Sequence, residues 1–394
     1  MSRAAHSLFA VCAPGLEPVA ASELQALGIE GRAEAGGIAF KGADAVLFRA
    51  SLGLRTATRL LLRLGEFRAR SFADLERHAG SLPWRRVLGP GARVRLRVSC
   101  GLSRLYHEGA VAERLLAAIG NAAAATPAPA TPRRDEEAGD DAQLFVVRIL
   151  RDVCTVSADA SGAPLYMRGY RQALARAPLR ETLAAALLIA ARWPGDVPLL
   201  DPLCGSGTIA IEGALMARGI PPALANPGHL PRRFRFMDWP GFAAAEFAAA
   251  VERAIAAIRP HAGAPILASD RNAGAIRAAT ANAERAGVRG DIEFTVRALA
   301  DLCVPGPRGW LVTNAPYGVR AGDDASNREL AREFGRHVGS TLAGWTVAAL
   351  TADNAMRGAL GPGAVERIAT RNGGIPVRLR VREPVPETPS GPGP

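Results

Sequence analysis

The chain has 394 residues, of which 48% are hydrophobic and 22% charged, enough for a packed core in each of two or three domains of an ordinary globular protein. Five cysteines at positions 12, 100, 154, 204 and 303 contain no C-x-x-C pair, which argues against a disulfide framework and against a zinc site and leaves reduced, buried thiols. The net charge of +11 has the sign of a protein that meets phosphate backbones, although Lys41 is the only lysine and compositional bias is the competing reading.

The apolar run from Leu8 to Ala13 is closely followed by Glu17 and Glu23 and is too short for a signal peptide, so it reads as a first strand. The longest apolar segment, Thr182 to Trp193, falls short of the roughly 18 residues of a membrane span. A cytoplasmic protein with no membrane partner is expected. Residues 1–68 alternate short apolar runs (also Ile38 to Phe40) with helical patterns (Pro18 to Leu27, Asp44 to Leu52), as in a small ferredoxin-like α+β subdomain. Residues 69–163 form a second unit. Its run "ARVRLRVSC" at 92–100 alternates Val94, Leu96 and Val98 with Arg93, Arg95 and Arg97, a half-buried strand. A helix follows from Glu108 to Ile119, stopped by Gly120 and Asn121. The Pro- and charge-rich stretch 122–142 reads as a mobile loop, and strands resume at Gln143 to Ile149 and Val153 to Ser157.

From a helix at Leu179 to Arg192 onward the pattern becomes strand, glycine loop, helix, and residues 164–382 read as a doubly wound Rossmann-like α/β sheet. Strands are expected at Val197 to Leu200, at 265–269, in "DIEFTVRAL" and in "GWLVTNAPYG"; helices at Thr208 to Arg218, up to Gly287, and in "NRELAREFGRHVGSTL". A strand "WTVAALTA" and a hairpin "RIATRNGGIPVRLRV" close the domain, and residues 383–394 form a Pro/Gly-rich disordered tail.

Three constellations carry chemistry. In "DPLCGSGT", Gly205 and Gly207 let a backbone approach a ligand where a strand turns into a helix, yet neither the P-loop nor the G-x-G-x-x-G spacing is present. Asp201 in front can accept from an ammonium group while loop amides face a carboxylate, which suits S-adenosylmethionine; a plain strand–helix connection is the alternative. Asp270 ends the next strand, where a carboxylate can take a ribose diol, or else cap a helix. Its distance from the glycine loop implies an insertion, about Ile220 to Gly263, that bulges out of the sheet and carries the basic and aromatic "PRRFRFMDWPGF". In "TNAPYG", the Asn314 side-chain oxygen and the Ala315 carbonyl can accept the two hydrogens of an amino group. Its lone pair then localises, with Tyr317 stacked on the base and Pro316 fixing the loop.

These motifs resemble the class I S-adenosylmethionine-dependent methyltransferases that act on amino nitrogens. "CGLSRLYHEGAVAERL", "PLYMRGYRQALARAPLRETLAAALL", "APGLEPVAASELQALG" and "RNGGIPVRLR" narrow the resemblance to THUMP-containing bacterial enzymes that make N2-methylguanosine in large-subunit ribosomal RNA. The resemblance covers nearly the whole chain and implies a ferredoxin-like plus THUMP module that holds RNA, followed by the catalytic domain. Some members carry a second methyltransferase domain, for which this chain ends too soon. Carried over by position, Asp201, Pro202, Cys204, Gly205, Ser206, Gly207 and Thr208 would line the methionine end of the cofactor and Asp270 its ribose. Asn314, Ala315, Pro316 and Tyr317 would hold the base. The RNA side rests on Ser103, Arg104, Tyr106, His107, Arg168, Tyr170 and Arg171, where arginine can pair with phosphate and aromatics can stack on unpaired bases; packing of Tyr106 and His107 in the small domain is the alternative. Two positions depart from the family. Ala315 stands where the family usually has the first proline of N-P-P-Y, which should loosen the loop. Ala298 stands where an acid usually meets the adenine amine, with Asp301 the nearest substitute.

The expectation is therefore an RNA guanine-N2 methyltransferase, acting on 23S-type ribosomal RNA, with no metal and as a monomer. Alternatives are a transfer-RNA guanosine-N2 methyltransferase, an enzyme acting on DNA adenine or a glutamine amide, and an RNA-binding or assembly factor with impaired catalysis. Attack at a pyrimidine carbon is disfavoured, because Cys204 lies in the cofactor loop and not beside the fourth strand.

Overall fold

In the computed structural model, residues 5–127, 141–172, 179–316 and 323–384 are described. The middle of the expected loop (128–140), Tyr317 and most of the expected tail lie outside them. The chain folds as two compact units. The first comprises Met1–Cys12, Ala20–Leu165 and Pro231–Arg253; the second comprises Ala13–Val19, Tyr166–Leu230 and Ala254–Pro394.

Along the first unit run β1 (His6–Val11), α1 (Glu17–Ala26), β2 (Gly31–Glu34), β3 (Gly37–Gly42), α2 (Asp44–Gly53), β4 (Arg59–Arg68), α3 (Phe72–Gly80), β5 (Arg93–Gly101), α4 (Glu108–Ala123), β6 (Thr126–Pro127), β7 (Gln143–Leu150) and β8 (Val153–Asp159). All eight strands join one sheet in the order β2-β3-β1-β4-β8-β7-β5-β6. The boundary expected near residue 69 is thus not a break in the sheet, since β4 pairs with β1 on one side and β8 on the other. The reason is the run Leu60–Leu61–Leu62, buried throughout: a strand apolar on both faces belongs in a sheet interior. Likewise β5 lies between β6 and β7, and its expected alternation fails at Arg95, which is buried. Helix α4 runs past Gly120 and Asn121 to Ala123. Burial of Val111, Leu115, Ile119 and Ala123 along one stripe outweighs those weak stop residues, and the turn comes at Ala124, with φ +52°.

The second unit holds α5 (Glu181–Ala190), β9 (Leu199–Asp201), α6 (Thr208–Ala217), α7 (Ala244–Ala256, mostly in the first unit), β10 (Ile266–Asp270), α8 (Ala273–Ala286), β11 (Ile292–Val296), β12 (Gly309–Asn314), α9 (Asp323–Gly339), β13 (Trp345–Thr351), α10 (Asn354–Ala359), β14 (Val365–Asn372) and β15 (Ile375–Arg382). Its sheet has the order β11-β10-β9-β12-β13-β15-β14. The first five strands are parallel; β15 is antiparallel to both β13 and β14. This is the doubly wound architecture expected, with the strand order reversing between β9 and β12. Leu311, Phe334, Leu342, Trp345 and Val347 fill the core on one face.

The expected insertion does leave the second sheet, but Pro231–Arg253 becomes part of the first unit. Phe236 and Phe247 pack on Phe48 of α2 with ring centroids 5.5 and 5.2 Å apart, and the Trp239 indole donates to Gln143 Oε1 at 2.8 Å. Its aromatics are core residues. Among the described residues, no helix is long and apolar enough to cross a membrane.

Candidate active site at the strand ends of the second unit

The loop between β9 and α6 is bound to its neighbours at nearly every residue. Asp201, 2% exposed, accepts at Oδ1 from Thr313 Oγ1 at 2.7 Å and from the Leu203 amide at 3.3 Å. Burial pushes its carboxyl up to about 7, against the lowering effect of Thr313. The Cys204 amide donates to Ser269 O on β10 at 2.9 Å, and Gly205 N donates to Asp270 Oδ2 at 3.1 Å. Asp270 also receives the Asn272 amide at Oδ1, 2.8 Å away, whereas the capping residue of α8 is Asn272. Gly205 and Gly207 have φ of +53° and +80°, the left-handed region that glycine enters without strain. At Gly207 a Cβ would also lie 2.9 Å from the Ala279 Cβ, so α8 packs against the loop where only glycine fits. Pro202 and Thr208 flank this turn, Thr208 as the first residue of α6.

Beside it, Thr313 and Asn314 end β12 in register with Ala349 and Leu350 of β13. Asn314 Oδ1 is buried and has no hydrogen-bond partner among the described residues. A buried amide oxygen left without a donor costs about 1–3 kcal/mol, so such an acceptor points to a donor that arrives with a ligand. Ala315 is fully buried, and its N–H donates to Leu350 O at 3.0 Å. A proline there could not make that bond; the alanine extends the strand ladder by one link. Pro316 follows, exposed at the edge of the described residues, and after β11 Ala298 precedes a short 3-10 turn, Leu299–Asp301, whose last residue Asp301 is exposed.

Burial pushes the Cys204 thiol well above its ordinary value, helped by Asp201 and Asp270, which disfavours a thiolate nucleophile there. The expectation of buried thiols holds for Cys12, Cys154 and Cys204; Cys100 is half-buried and Cys303 exposed, and all five are free. Among the described residues, no group of three or more His, Cys, Asp or Glu is placed to hold a metal ion.

The residues expected to touch RNA divide. Arg168, Tyr170 and Arg171 require correction. Arg168 lies 3.5 Å from Glu212 with 2% of its side chain exposed, the Tyr170 hydroxyl donates to Glu212 Oε1 at 2.9 Å, and Arg171 faces Glu181 at 3.2 Å. Buried cations need buried partners: Glu212 and Glu181 engage Arg168 and Arg171 within the second unit, and Glu212 also takes the Tyr170 hydroxyl, so these groups spend their polar atoms on the protein itself. In the first unit, Arg104 and Tyr106 stand in solvent, Tyr106 80% exposed. Ser103 and His107 shape the turn that presents them. Ser103 Oγ donates to Gly101 O and accepts from the Asp152 amide, while His107 Nδ1 accepts from Ala110 N and caps α4. A cavity of about 430 Å³ in the same unit is lined by arginines, but Arg59, Arg233 and Arg235 already face Asp159 and Asp238. The convergence of strand ends in the second unit, and not that cavity, has the chemistry.

Motif reading missed Thr313, Asn282 and Arg285. Asn282 Nδ2 donates to Ser206 O at 3.1 Å, and Arg285 bridges Asn282 Oδ1 and Tyr170 O. The only sequence signal was a polar residue on the buried stripe Ile276, Ala279, Ala283 and Ala286 of α8.

A parallel sheet with this strand order, a glycine loop after β9 and an amide at the end of β12 define a Rossmann-like methyltransferase. The RMKL-like methyltransferase domain model matches residues 168–380 and the RlmL ferredoxin-like domain model residues 7–61. The chain belongs to the RMKL-like methyltransferase family. A Synechocystis protein named "Putative RNA methyltransferase slr0064" is 32% identical over 94% of this chain and 95% of its own length. The ribosomal RNA large subunit methyltransferase K/L of Methylococcus capsulatus is 34% identical over 97% of this chain, which spans 52% of that relative's length. Among solved structures, a "putative methyltransferase complexed with SAH" superposes with a TM-score of 0.85 at 28% identity, covering 98% of this chain and 99% of that one. A "predicted N6-adenine-specific DNA methylase" of Listeria monocytogenes gives 0.84 at 30% identity, covering 97% of each chain.

Proposed function

We propose that the protein transfers a methyl group from S-adenosylmethionine to the exocyclic N2 amine of a guanosine in large-subunit ribosomal RNA, in the cytoplasm. The observation that carries this reading is the buried Asn314 Oδ1 beside the glycine loop, without a hydrogen-bond partner among the described residues and suited to accept one N–H of an amino group. With the Ala315 carbonyl taking the second hydrogen, the nitrogen lone pair is freed from the ring and becomes the nucleophile. Pro316 and Tyr317 complete the base site. The flipped base has to leave its stack to reach these groups.

Asp201, Pro202, Cys204, Gly205, Ser206, Gly207 and Thr208 would hold the methionine end of the cofactor, Asp270 its ribose and Asp301 its adenine edge; the bound cofactor supplies an electrophilic methyl group. The left-handed glycines and the buried carboxylate fit that group. Arg104 and Tyr106 offer a phosphate partner and a stacking surface for unpaired RNA. The names of the Synechocystis and Methylococcus relatives support RNA as the acceptor, and that of the Listeria structure makes DNA adenine the reading to test against it.

Methyl transfer from labelled cofactor should be measured on ribosomal RNA, transfer RNA, DNA and protein. Label in large-subunit RNA, recovered as N2-methylguanosine, is the expected result; label confined to DNA or protein would overturn the reading. Replacing Asn314 by Ala should lower the rate at least a hundredfold and leave calorimetric affinity for S-adenosylhomocysteine within about twofold, given the roughly 10²–10³-fold typically lost with one such donor or acceptor. Full activity of Asn314→Ala would remove its assigned role.

A further inference from the structure

The second unit contains a buried hydrogen-bond chain that ends on the glycine loop. The peptide unit between Ser206 and Gly207 is held at both ends: its carbonyl accepts from Asn282 Nδ2 at 3.1 Å and its N–H donates to Cys204 O at 2.8 Å. This matters because Gly207, on one side of that peptide, lacks the side chain that would help bar a flip. A flip would break both bonds and redirect the loop where it enters α6. Asn282 is itself fully buried, and Arg285 Nη2 donates to its Oδ1, which fixes the amide with its NH2 toward Ser206.

Arg285 in turn donates through Nε to Tyr170 O at 2.8 Å. The Tyr170 hydroxyl reaches Glu212 on α6, the helix that begins at Thr208, and Arg168 lies against the same carboxylate. The segment Arg168–Arg171 is therefore a strap joined to both helices that flank the loop, α6 through Glu212 and α8 through Arg285. An apolar core would hold two helices together as well; what the polar chain adds is a direction for one peptide group.

We propose that Asn282, oriented by Arg285 and the Arg168–Arg171 strap, is the positioning residue of the cofactor loop, holding the Ser206–Gly207 peptide so that the loop enters α6 on the course the amino-acid end of a cofactor requires. This rests on the reading of the loop as the S-adenosylmethionine site. The residue acts through the loop and touches neither methyl group nor base.

The test uses the full chain with S-adenosylhomocysteine in calorimetry, and steady-state methylation with cofactor and RNA varied separately. Asn282→Asp keeps the acceptor for Arg285 and replaces the donor to Ser206 by an oxygen; Arg285→Lys, kept as a second variant should the first not fold, breaks the bridge one link further out. For Asn282→Asp, affinity for S-adenosylhomocysteine should fall at least tenfold and KM for the cofactor rise to match. KM for RNA and kcat at saturating cofactor should stay within about twofold. Arg285→Lys should show the same pattern, more weakly. A folded Asn282→Asp protein, or failing that a folded Arg285→Lys protein, with unchanged cofactor affinity would overturn the proposal and leave the site reading intact. Absence of binding by the unaltered protein would overturn both.

Discussion

Asp201 shows how much of this site depends on burial. Its carboxyl is held at about 7, so across the window from about 4 to 7 the folded chain keeps a proton that the unfolded chain releases. Fewer protons on the unfolded state mean that cofactor-free stability falls as pH rises through this window, by up to one proton's worth of slope. If the ammonium group of the cofactor faces Asp201, binding needs the charged form. Affinity for S-adenosylhomocysteine should then rise up to tenfold per pH unit toward 7 and level off above it. Calorimetry from pH 5.5 to 8.5 checks this; Asp201→Asn should bind more weakly and with a flat profile. Ala315 illustrates a change legible in sequence whose structural consequence is only half visible there. Its loss of ring rigidity was plain from "TNAPYG", while its bond to Leu350 O required the register of β12 on β13.

At the scale of elements, composition misled wherever an element's environment was supplied by distant chain. "PRRFRFMDWPGF" reads as a basic and aromatic stretch in an insertion outside the sheet, yet Phe234 and Phe236 are 1% exposed and stack on each other. Nothing in the local sequence says that residues 231–253, interrupting one sheet, will fill the core of another unit. Truncating Phe236 to Ala should therefore destabilise the first unit by about 3–5 kcal/mol, seen as a lower denaturant midpoint, without changing affinity for S-adenosylhomocysteine. A negligible shift would mean that the segment is only loosely docked. "YMRGYR" erred in the same sense: arginine and tyrosine suggested RNA, and only the approach of Glu181 and Glu212 made them internal.

For the whole molecule, the charge of +11 becomes meaningful once the buried arginines are set aside. Arg59, Arg168, Arg171 and Arg218 spend their charge on Asp159, Glu212, Glu181 and Asp291. What remains for RNA is on the surface, including Arg104 next to Tyr106. RNA affinity should fall linearly in log–log form as salt increases. Tyr106→Ala should weaken RNA binding about tenfold with little change in that slope, because base stacking is worth about 1–3 kcal/mol and carries no charge. Arg104→Ala should reduce the slope by about one. Filter binding at several salt concentrations separates the two; a Tyr106→Ala protein that binds RNA normally would remove the turn from the RNA surface.

The sequence by itself determined the doubly wound sheet, the glycine loop and the amide at the end of the fourth parallel strand, because those depend on periodicity and on residue types that few other conformations accommodate. It also placed most helices and strands within a few residues. Tertiary structure alone decided that the two N-terminal units share one sheet, that the insertion serves the first unit, and that the arginines of the Arg168–Arg171 strap are internal ion-pair partners. Each of these turns on which distant group comes to lie beside a residue, and burial or pairing of a charge is a property of that neighbour as much as of the residue.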